Sequence, residues 1–290
     1  MKKNEPQIRI AVNPTNPGQF FACCGLLELA DRLWKGAEGW FENDGKEFCV
    51  RAPNRDASLS NLLTAAKTIQ LQISDDETEE DNNEDDEDSQ ADGSESGIQP
   101  IQIASPVNLV LDWWADKSLK TWAGSMNATK IFLAMCGAID SDNEAPLDQA
   151  AVVYDTSDKS NASKKTTTKQ KAREPFYFDA RRGSNAWSID VGFSADAIKT
   201  SQNLSTVAYP VVESLAMIGL QRIRPISTEK ARVFDYYIWS TALPVTVVAV
   251  AVSGHMNNKT GFRFENSFRT TQKKHKAFNP AIQLPKGEKQ

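Results

Sequence analysis

Arginine, serine and asparagine side chains stand together in the run Arg181-Arg182-Gly183-Ser184-Asn185. Guanidinium groups bind phosphate or guanine through paired hydrogen bonds, and asparagine forms a matching pair with adenine. Gly183 lets the backbone approach a groove closely, and the aromatic residues Tyr177 and Trp187 stand on either side. These residue types together predict a contact with nucleic acid, although charged turns are also common on solvated surfaces.

Two further stretches of the chain are rich in basic residues. Residues 156–173 mix lysine with serine, threonine and asparagine, and from His255 onward eight lysines or arginines face two glutamates. Such side chains are those that contact phosphate, and several of them in one chain favour binding over mere solvation. Besides Arg181, Arg182, Ser184 and Asn185, the candidates for nucleic-acid contact are Lys164, Lys165, Lys169, Lys171, Arg222, Arg224, Arg263, Arg269, Lys273, Lys274 and Lys276.

An acidic run hides the basic character of the remaining chain. Residues 75–96 contain thirteen of the 38 acidic residues, and the chain as a whole has 33 basic residues and a net charge of −5. Without the run, 25 acids face 33 bases, so the body carries +8. A basic body favours a polyanionic partner. The run itself predicts a disordered loop, which either only aids solubility or weakly shields the basic surface.

Catalytic and metal-binding patterns are not apparent in the sequence. The two histidines, His255 and His275, lie twenty positions apart, and no Cys-x-x-Cys pair, nucleophile elbow or phosphate-binding glycine loop occurs. The adjacent Cys23 and Cys24 stand among apolar residues and are predicted to fill a core. We therefore expect no cofactor, no metal and no enzymatic activity, with reduced thiols in a cytoplasmic protein.

Hydrophobic spacing divides the chain into helices and strands. Residues 19–34 place Phe20, Cys24 and Leu27 on one helical face, and Asn16-Pro17 is a helix-start signal. Further helices are predicted at 56–70, 127–139 and 209–223, and strands at 7–12, 40–42, 47–51, 101–103, 109–114, 176–179 and within 236–253. We expect an α+β fold of helices and antiparallel strands in one compact body: an N-terminal α/β part (1–72), a disordered acidic loop (73–99) and a main body (100–290) with a flexible segment at 156–174 and a basic C-terminal piece.

The opening helix resembles a known family. Residues 16–30 read Asn-Pro-Gly-Gln-Phe-Phe-Ala-Cys-Cys-Gly-Leu-Leu-Glu-Leu-Ala, a Pro-Gly turn, an aromatic residue, a small residue and then Gly-Leu-Leu at a helix start. This pattern resembles large subunits of type I CRISPR effector complexes, and in its fuller form the short Csb-class subunit of type I-G (formerly I-U) systems. Further matching pieces are Trp122-Ala123-Gly124, Phe178-Asp179-Ala180-Arg181-Arg182-Gly183-Ser184, Gly219-Leu220-Gln221-Arg222-Ile223-Arg224-Pro225 and Tyr237-Ile238-Trp239.

The resemblance implies a non-catalytic subunit of a crRNA-guided surveillance complex, Cascade. Its expected partners are the backbone and guide-processing subunits, crRNA, target double-stranded DNA and a helicase-nuclease, with no membrane. In such complexes guide pairing reads the target, while protein reads a short adjacent motif (the PAM) and holds the displaced strand. The chain is shorter than typical large subunits, which leaves open whether it reads the adjacent motif, holds the displaced strand as a small subunit does, or combines both tasks. A protein-only scaffold and a nuclease or adaptation factor of the same locus are the alternatives.

Overall fold

The computed structural model describes residues 5–72, 99–124, 126–155, 175–182, 205–256, 260–269, 273 and 275–285. Helices and antiparallel strands combine in these residues, which confirms the predicted α+β class. The helices are α1 (Pro17–Trp34), α2 (Leu59–Lys67), α3 (Ala128–Gly137), α4 (Pro210–Arg222) and α5 (Val245–Val252). The strands are β1 (Ile8–Ala11), β2 (Glu38–Glu42), β3 (Glu47–Arg51), β4 (Ile101–Ile103), β5 (Leu109–Leu111), β6 (Ala151–Asp155), β7 (Ser205–Ala208), β8 (Ile226–Ser227), β9 (Val233–Tyr237), β10 (Leu243–Pro244), β11 (Gly261–Phe268), β12 (Lys276–Phe278) and β13 (Ile282–Gln283).

Helix α1 is the central element of the core. All its residues from Pro17 to Ala30 are buried, so the helix is covered on every side rather than on one face. It begins where the Asn-Pro signal predicts, because the side chain of Asn16 accepts the backbone N–H groups of Gly18 and Gln19. The adjacent Cys23 and Cys24 are fully buried, which confirms their predicted place in the core.

Helices α1 and α4 pack against each other through two glycines. A Cβ atom on Gly25 would fall against the carbonyl oxygen of Leu215, and a Cβ on Gly219 against the carbonyl oxygen of Phe21. The two backbones are therefore in direct contact, with no side chain between them. This crossing joins the N-terminal segment to a helix almost two hundred residues later.

Two antiparallel sheets enclose these helices. The first has the order β1-β3-β2-β10, so that Leu243 of β10 pairs with Gly39 of β2 and the N-terminal part shares its sheet with later residues. The second has the order β12-β11-β9-β8, with β13 also paired to β11. Two further antiparallel pairs, β4-β5 and β6-β7, complete the described strands.

The structure corrects two of the predicted strands. Residues 245–252 form helix α5, in which Val245, Val248 and Val252 are buried on one face, because tertiary packing overrides the β preference of valine. Residues 176–178 belong to no described strand, because Tyr177 adopts a positive φ of 66°, outside the extended region. The predicted acidic loop and the lysine-rich segment 156–174 lie outside the described residues, apart from Gln99 at the end of the former.

The helices can also be compared with the dimensions of a bilayer. Across the described part of the chain, none is both long enough and apolar enough to cross a membrane.

Candidate nucleic-acid interface

The N-cap residue of α1 also binds the segment that contains the predicted arginine turn. The Oδ1 atom of Asn16 accepts the backbone N–H of Ala180 at 3.0 Å, and its Nδ2 donates to Oδ1 of Asp179 at 2.9 Å. A Cβ on Gly18 would collide with the backbone of Phe178 and Asp179. The Pro-Gly turn and the segment 178–182, far apart in sequence, are thus packed backbone to backbone.

A buried carboxylate in α4 supports the same segment. Glu213 is fully buried, and its two oxygens accept the backbone N–H groups of Phe178 at 3.3 Å and Asp179 at 3.1 Å. Burial raises the pKa of Glu213 to about 8, the nearby Asp179 adds to that shift, and the N–H donors oppose it. We call the set Asn16, Asp179, Arg181 and Glu213 the motif clamp.

Arg181 completes the motif clamp with a guanidinium group that is engaged within the protein. Its Nε and one terminal nitrogen donate to the two oxygens of buried Asp179, at 3.0 and 2.7 Å. Its terminal nitrogens also donate to Asp148 at 2.7 Å and to the carbonyl of Leu147 at 2.6 Å. The group lies 3.4 Å from the centre of the Tyr209 ring. Arg181 therefore ties several segments of the protein together.

Two other predicted arginines also neutralise buried carboxylates. Arg222 donates to Glu28 at 2.6 and 3.3 Å, and Glu28 is 1 % exposed in α1. Arg263 makes two bonds to Asp235, at 2.7 and 2.8 Å, and Asp235 is likewise 1 % exposed. The Asp235 carboxylate offsets the charge of Arg263, whereas Glu28 also binds Arg32 at 2.9 Å and therefore offsets the charge of only one of its two arginines.

Four other cations form a group that we call the basic cluster: Lys117, Lys120, Arg232 and Lys276. The backbone N–H of Lys276 donates to the carbonyl of Thr121 at 2.7 Å, and its Nζ donates to the carbonyl of Lys117 at 3.0 Å. These bonds place β12 alongside residues 117–121. Arg232, in the turn before β9, lies close enough to Lys276 to affect its charge.

Aromatic rings, rather than carboxylates, hold two members of the basic cluster. The ammonium group of Lys120 lies 5.3 Å from the centre of the Trp122 ring, and the guanidinium of Arg232 lies 4.7 Å from that of Phe268. A ring face attracts a cation without cancelling its charge. Among the described residues, no carboxylate forms an ion pair with any member of the cluster.

The electrostatics of the basic cluster reflect crowding of like charges. Burial lowers the pKa of Lys276, and the neighbouring Arg232 and Lys120 lower it further, while Asp116 partly opposes them. Burial also lowers the pKa of Lys120, with an added contribution from Lys117. Each of these cations would be stabilised by an anion placed between them.

Three buried polar atoms beside the basic cluster have no hydrogen-bond partner in the described part of the chain. Arg232 Nε, Thr121 Oγ1 and Asn266 Oδ1 are buried, and none has a hydrogen bond to another described residue. Asn266 joins the two segments that contain the other residues. Its backbone N–H donates to the carbonyl of Arg232 at 2.9 Å, and its side-chain Nδ2 donates to the carbonyl of Ser118, three positions before Thr121, at 2.9 Å. Unsatisfied buried groups of this kind commonly mark a place where water or a ligand binds.

The remaining predicted residues surround the basic cluster or lie away from it. Arg269 stacks on the ring of Tyr177 at 3.4 Å, and its N–H donates to the carbonyl of His275, on the connection that leads into β12. Arg182 belongs to a 3₁₀ turn that contacts β12. Lys273 and Arg224 are exposed. The predicted residues outside the described part of the chain are Lys164, Lys165, Lys169, Lys171, Ser184, Asn185 and Lys274.

The structure thus adds three residues that the sequence reasoning missed. Lys117 and Lys120 stand between the tryptophan pair Trp113-Trp114 and Trp122, and this interleaving of basic and aromatic residues was a usable signal. Arg232 offered no comparable signal, because only the folded chain brings it to Lys276.

A possible set of metal ligands is occupied by an arginine. One oxygen each from Glu42 and Glu47 and the sulfur of Cys49 lie within 4.8 Å of one another. A terminal nitrogen of Arg9 lies 2.7, 3.3 and 3.4 Å from these three atoms. Burial raises the pKa of Cys49 to about 11, which disfavours the thiolate form that a metal requires. The arrangement is a surface ion-pair network.

Comparison with known proteins adds no identification. No family model, curated protein or solved structure matches the chain. Its function is therefore inferred from the residues and contacts described above.

Proposed function

We propose that this chain is a non-catalytic subunit of a crRNA-guided type I CRISPR surveillance complex, similar to the short Csb-class subunit of type I-G (formerly I-U) Cascade. In this role it works in the cytoplasm, joins the backbone and guide-processing subunits, and contributes to the binding of target double-stranded DNA. It reads the adjacent motif, holds the displaced strand or does both, and it presents the complex to the helicase-nuclease.

The observation that carries the proposal is the convergence of the segments on which the family resemblance depends. Asn16 and Gly18 of the opening motif contact Phe178 and Asp179 of the second. The opening helix also crosses α4 at Gly25, opposite the Gly-Leu-Gln-Arg piece.

The two tryptophan pieces belong to the same assembly. The Trp122 ring lies 6.5 Å from that of Phe178, and the Trp239 ring lies 6.1 Å from that of Phe20. A family framework requires its characteristic segments to contact one another, and these segments do so in one core. The convergence supports the resemblance as a property of the whole fold.

The chemistry of the surface is consistent with a binding role. The described residues offer a group of cations without carboxylate partners in a chain whose body is basic. Positive charge that internal acids do not neutralise favours association with a polyanion and accelerates the encounter. A scaffold that binds only acidic proteins would use the same charge, so the partner must be identified by experiment.

Co-purification tests the proposal. The tagged chain would be expressed together with the backbone and guide-processing subunits of a type I-G complex and a matching crRNA. We expect crRNA and these subunits to be retained with the chain through affinity and size-exclusion steps. Recovery of the chain alone, while the other subunits assemble with crRNA without it, would contradict the proposal.

A further inference from the structure

We infer that the basic cluster of Lys117, Lys120, Arg232 and Lys276 is a binding site for the phosphodiester backbone of nucleic acid, independent of sequence. This inference rests on the proposed function and deepens it, because it assigns the phosphate contacts to a surface that includes three residues outside the predicted set. It moves those contacts away from Arg181, Arg222 and Arg263.

The predicted arginines and the members of the basic cluster differ in the groups that hold them. Arg181, Arg222 and Arg263 each bind a buried carboxylate through two nitrogens. An incoming phosphate would be repelled by the carboxylate that each of these guanidinium groups already binds. In contrast, Lys120 and Arg232 are positioned by aromatic rings, which fix the side chain while leaving its charge available.

The cations of the basic cluster come from separate segments of the chain that meet in the fold. Residues 117–120, the turn at Arg232 and strand β12 contribute cations to one place. Backbone hydrogen bonds, together with side-chain donors from Asn266 and Lys276 to backbone carbonyls, fix the positions of these segments. Folding has thus brought like charges together at a cost that Asp116 offsets only in part. Phosphate oxygens between Lys276, Arg232 and Lys120 would remove that cost.

Two hydrogen-bond donors beside the basic cluster have no acceptor among the described residues. Arg232 Nε and Thr121 Oγ1 have hydrogens to donate and no described acceptor. Both atoms are buried, so a small shift of the covering side chains would let a water reach them and bridge to a phosphate oxygen. Asn266 Oδ1 is an acceptor and would instead receive a proton from such a water or from a hydroxyl group.

The residue types in the basic cluster favour contact with phosphate over contact with base edges. Lysine is a flexible point charge and supplies three of the four cations, whereas bidentate base recognition uses arginine or an amide. The single arginine lies on Phe268 and is partly buried. The cluster is therefore suited to backbone phosphates and not to the reading of base edges, so its affinity should be the same for different sequences.

A salt-dependent titration tests the inference. The purified full-length chain, the Lys120→Gln, Arg232→Gln, Lys276→Gln triple variant and a control triple variant would each be titrated against a labelled DNA duplex and its single strand. The control changes the exposed Lys46, Lys67 and Lys130 to Gln, so that it removes the same net charge elsewhere. Folding of each variant is checked by thermal melting.

We expect the cluster variant to bind more weakly and to lose about 0.9 per phosphate contact from the slope of log affinity against log salt with duplex, and about 0.7 with the single strand. The control should retain most of the parent's slope. Equal losses for duplexes of different sequence would support phosphate contacts. If the triple variant does not fold, Lys117→Gln, at an exposed position, should show a smaller loss in the same direction, with Lys120→Arg retaining the parent's slope.

Two failures can be told apart. If the parent binds with a steep salt slope and the cluster variant keeps that slope, the cluster is not the site, but the proposed function survives. If the parent itself binds neither the duplex nor the single strand, the inference fails, and co-purification with the guide complex decides the proposed function.

Discussion

Replacing Arg181 with alanine should destabilise the fold rather than merely weaken binding. The substitution removes two hydrogen bonds from Asp179, which is 0 % exposed, and leaves that carboxylate with Asn16 Nδ2 and the backbone N–H of residue 181. Removing one partner of a buried ion pair costs about 3–5 kcal/mol. Because the Arg181 side chain is itself 31 % exposed, we expect the lower end of that range, about 3 kcal/mol.

The other contacts of Arg181 add to this estimate, each by less than the pair with Asp179. The side chain of Asp148 is 63 % exposed, so its ion pair contributes about 0–1 kcal/mol. The ring of Tyr209, 3.4 Å from the guanidinium, adds about 0.5–2 kcal/mol. The internal pair with Asp179 therefore dominates the free energy of unfolding that is lost.

Urea denaturation of the parent, Arg181→Ala and the control Arg224→Ala measures the effect. The control removes an exposed arginine and should change the unfolding free energy by less than about 0.5 kcal/mol. Adding Asp179→Asn to Arg181→Ala should recover part of the loss, because the uncompensated charge is then gone. A variant Arg181→Ala that unfolds like the parent, yet no longer binds target DNA, would refute the reasoning and make Arg181 a contact residue.

Three further predictions follow from the core and the acidic run. The folded-state pKa of Glu213 is raised from 4.5 to about 8, so Glu213 holds its proton in the folded state between these two pH values but loses it in the unfolded state. The stability that protonated Glu213 contributes is therefore complete below pH 4.5 and should be lost as the pH rises toward 8. Glu213→Gln should remove this pH dependence in urea titrations, while exposed Glu229→Gln should not. Gly25→Ala should lower the unfolding free energy by at least about 1–3 kcal/mol, because its Cβ meets the backbone of α4; an unchanged midpoint would mean that the helices can separate. A Gly/Ser link in place of residues 75–96 should melt within a few degrees of the parent, because loop closure depends weakly on length, whereas a large drop would indicate that the acids dock on the basic surface.

Local signals account for the parts of the fold that the sequence predicted well. The start of α1 follows from Asn16 and Pro17, which act within one helical turn, and the hairpin of β2 and β3 follows from its Asn-Asp-Gly turn. Helix α5 was missed because its valines favour strands, and only its neighbours in the fold decide the outcome.

The candidate site was predicted in part, for a related reason. A basic C-terminal stretch was a sound indication for Lys276, but its approach to Lys120 depends on the pairing of β12 with residues 117–121. The exposure of Arg181 could not be read from the sequence, because Asp148 and Tyr209 stand about thirty positions away on either side. Composition reveals how many cations a chain has, whereas the fold decides which of them are neutralised.

The most direct test of the central claim compares guide complexes assembled with and without this chain. Both would be loaded with the same crRNA and titrated against a matching target duplex and against a duplex altered only in the sequence beside the target. If the chain contributes to target binding, the complex that contains it should bind the matching duplex more tightly, and the gain should shrink as salt increases. Equal affinity with and without the chain, at every salt concentration and on both duplexes, would contradict the account.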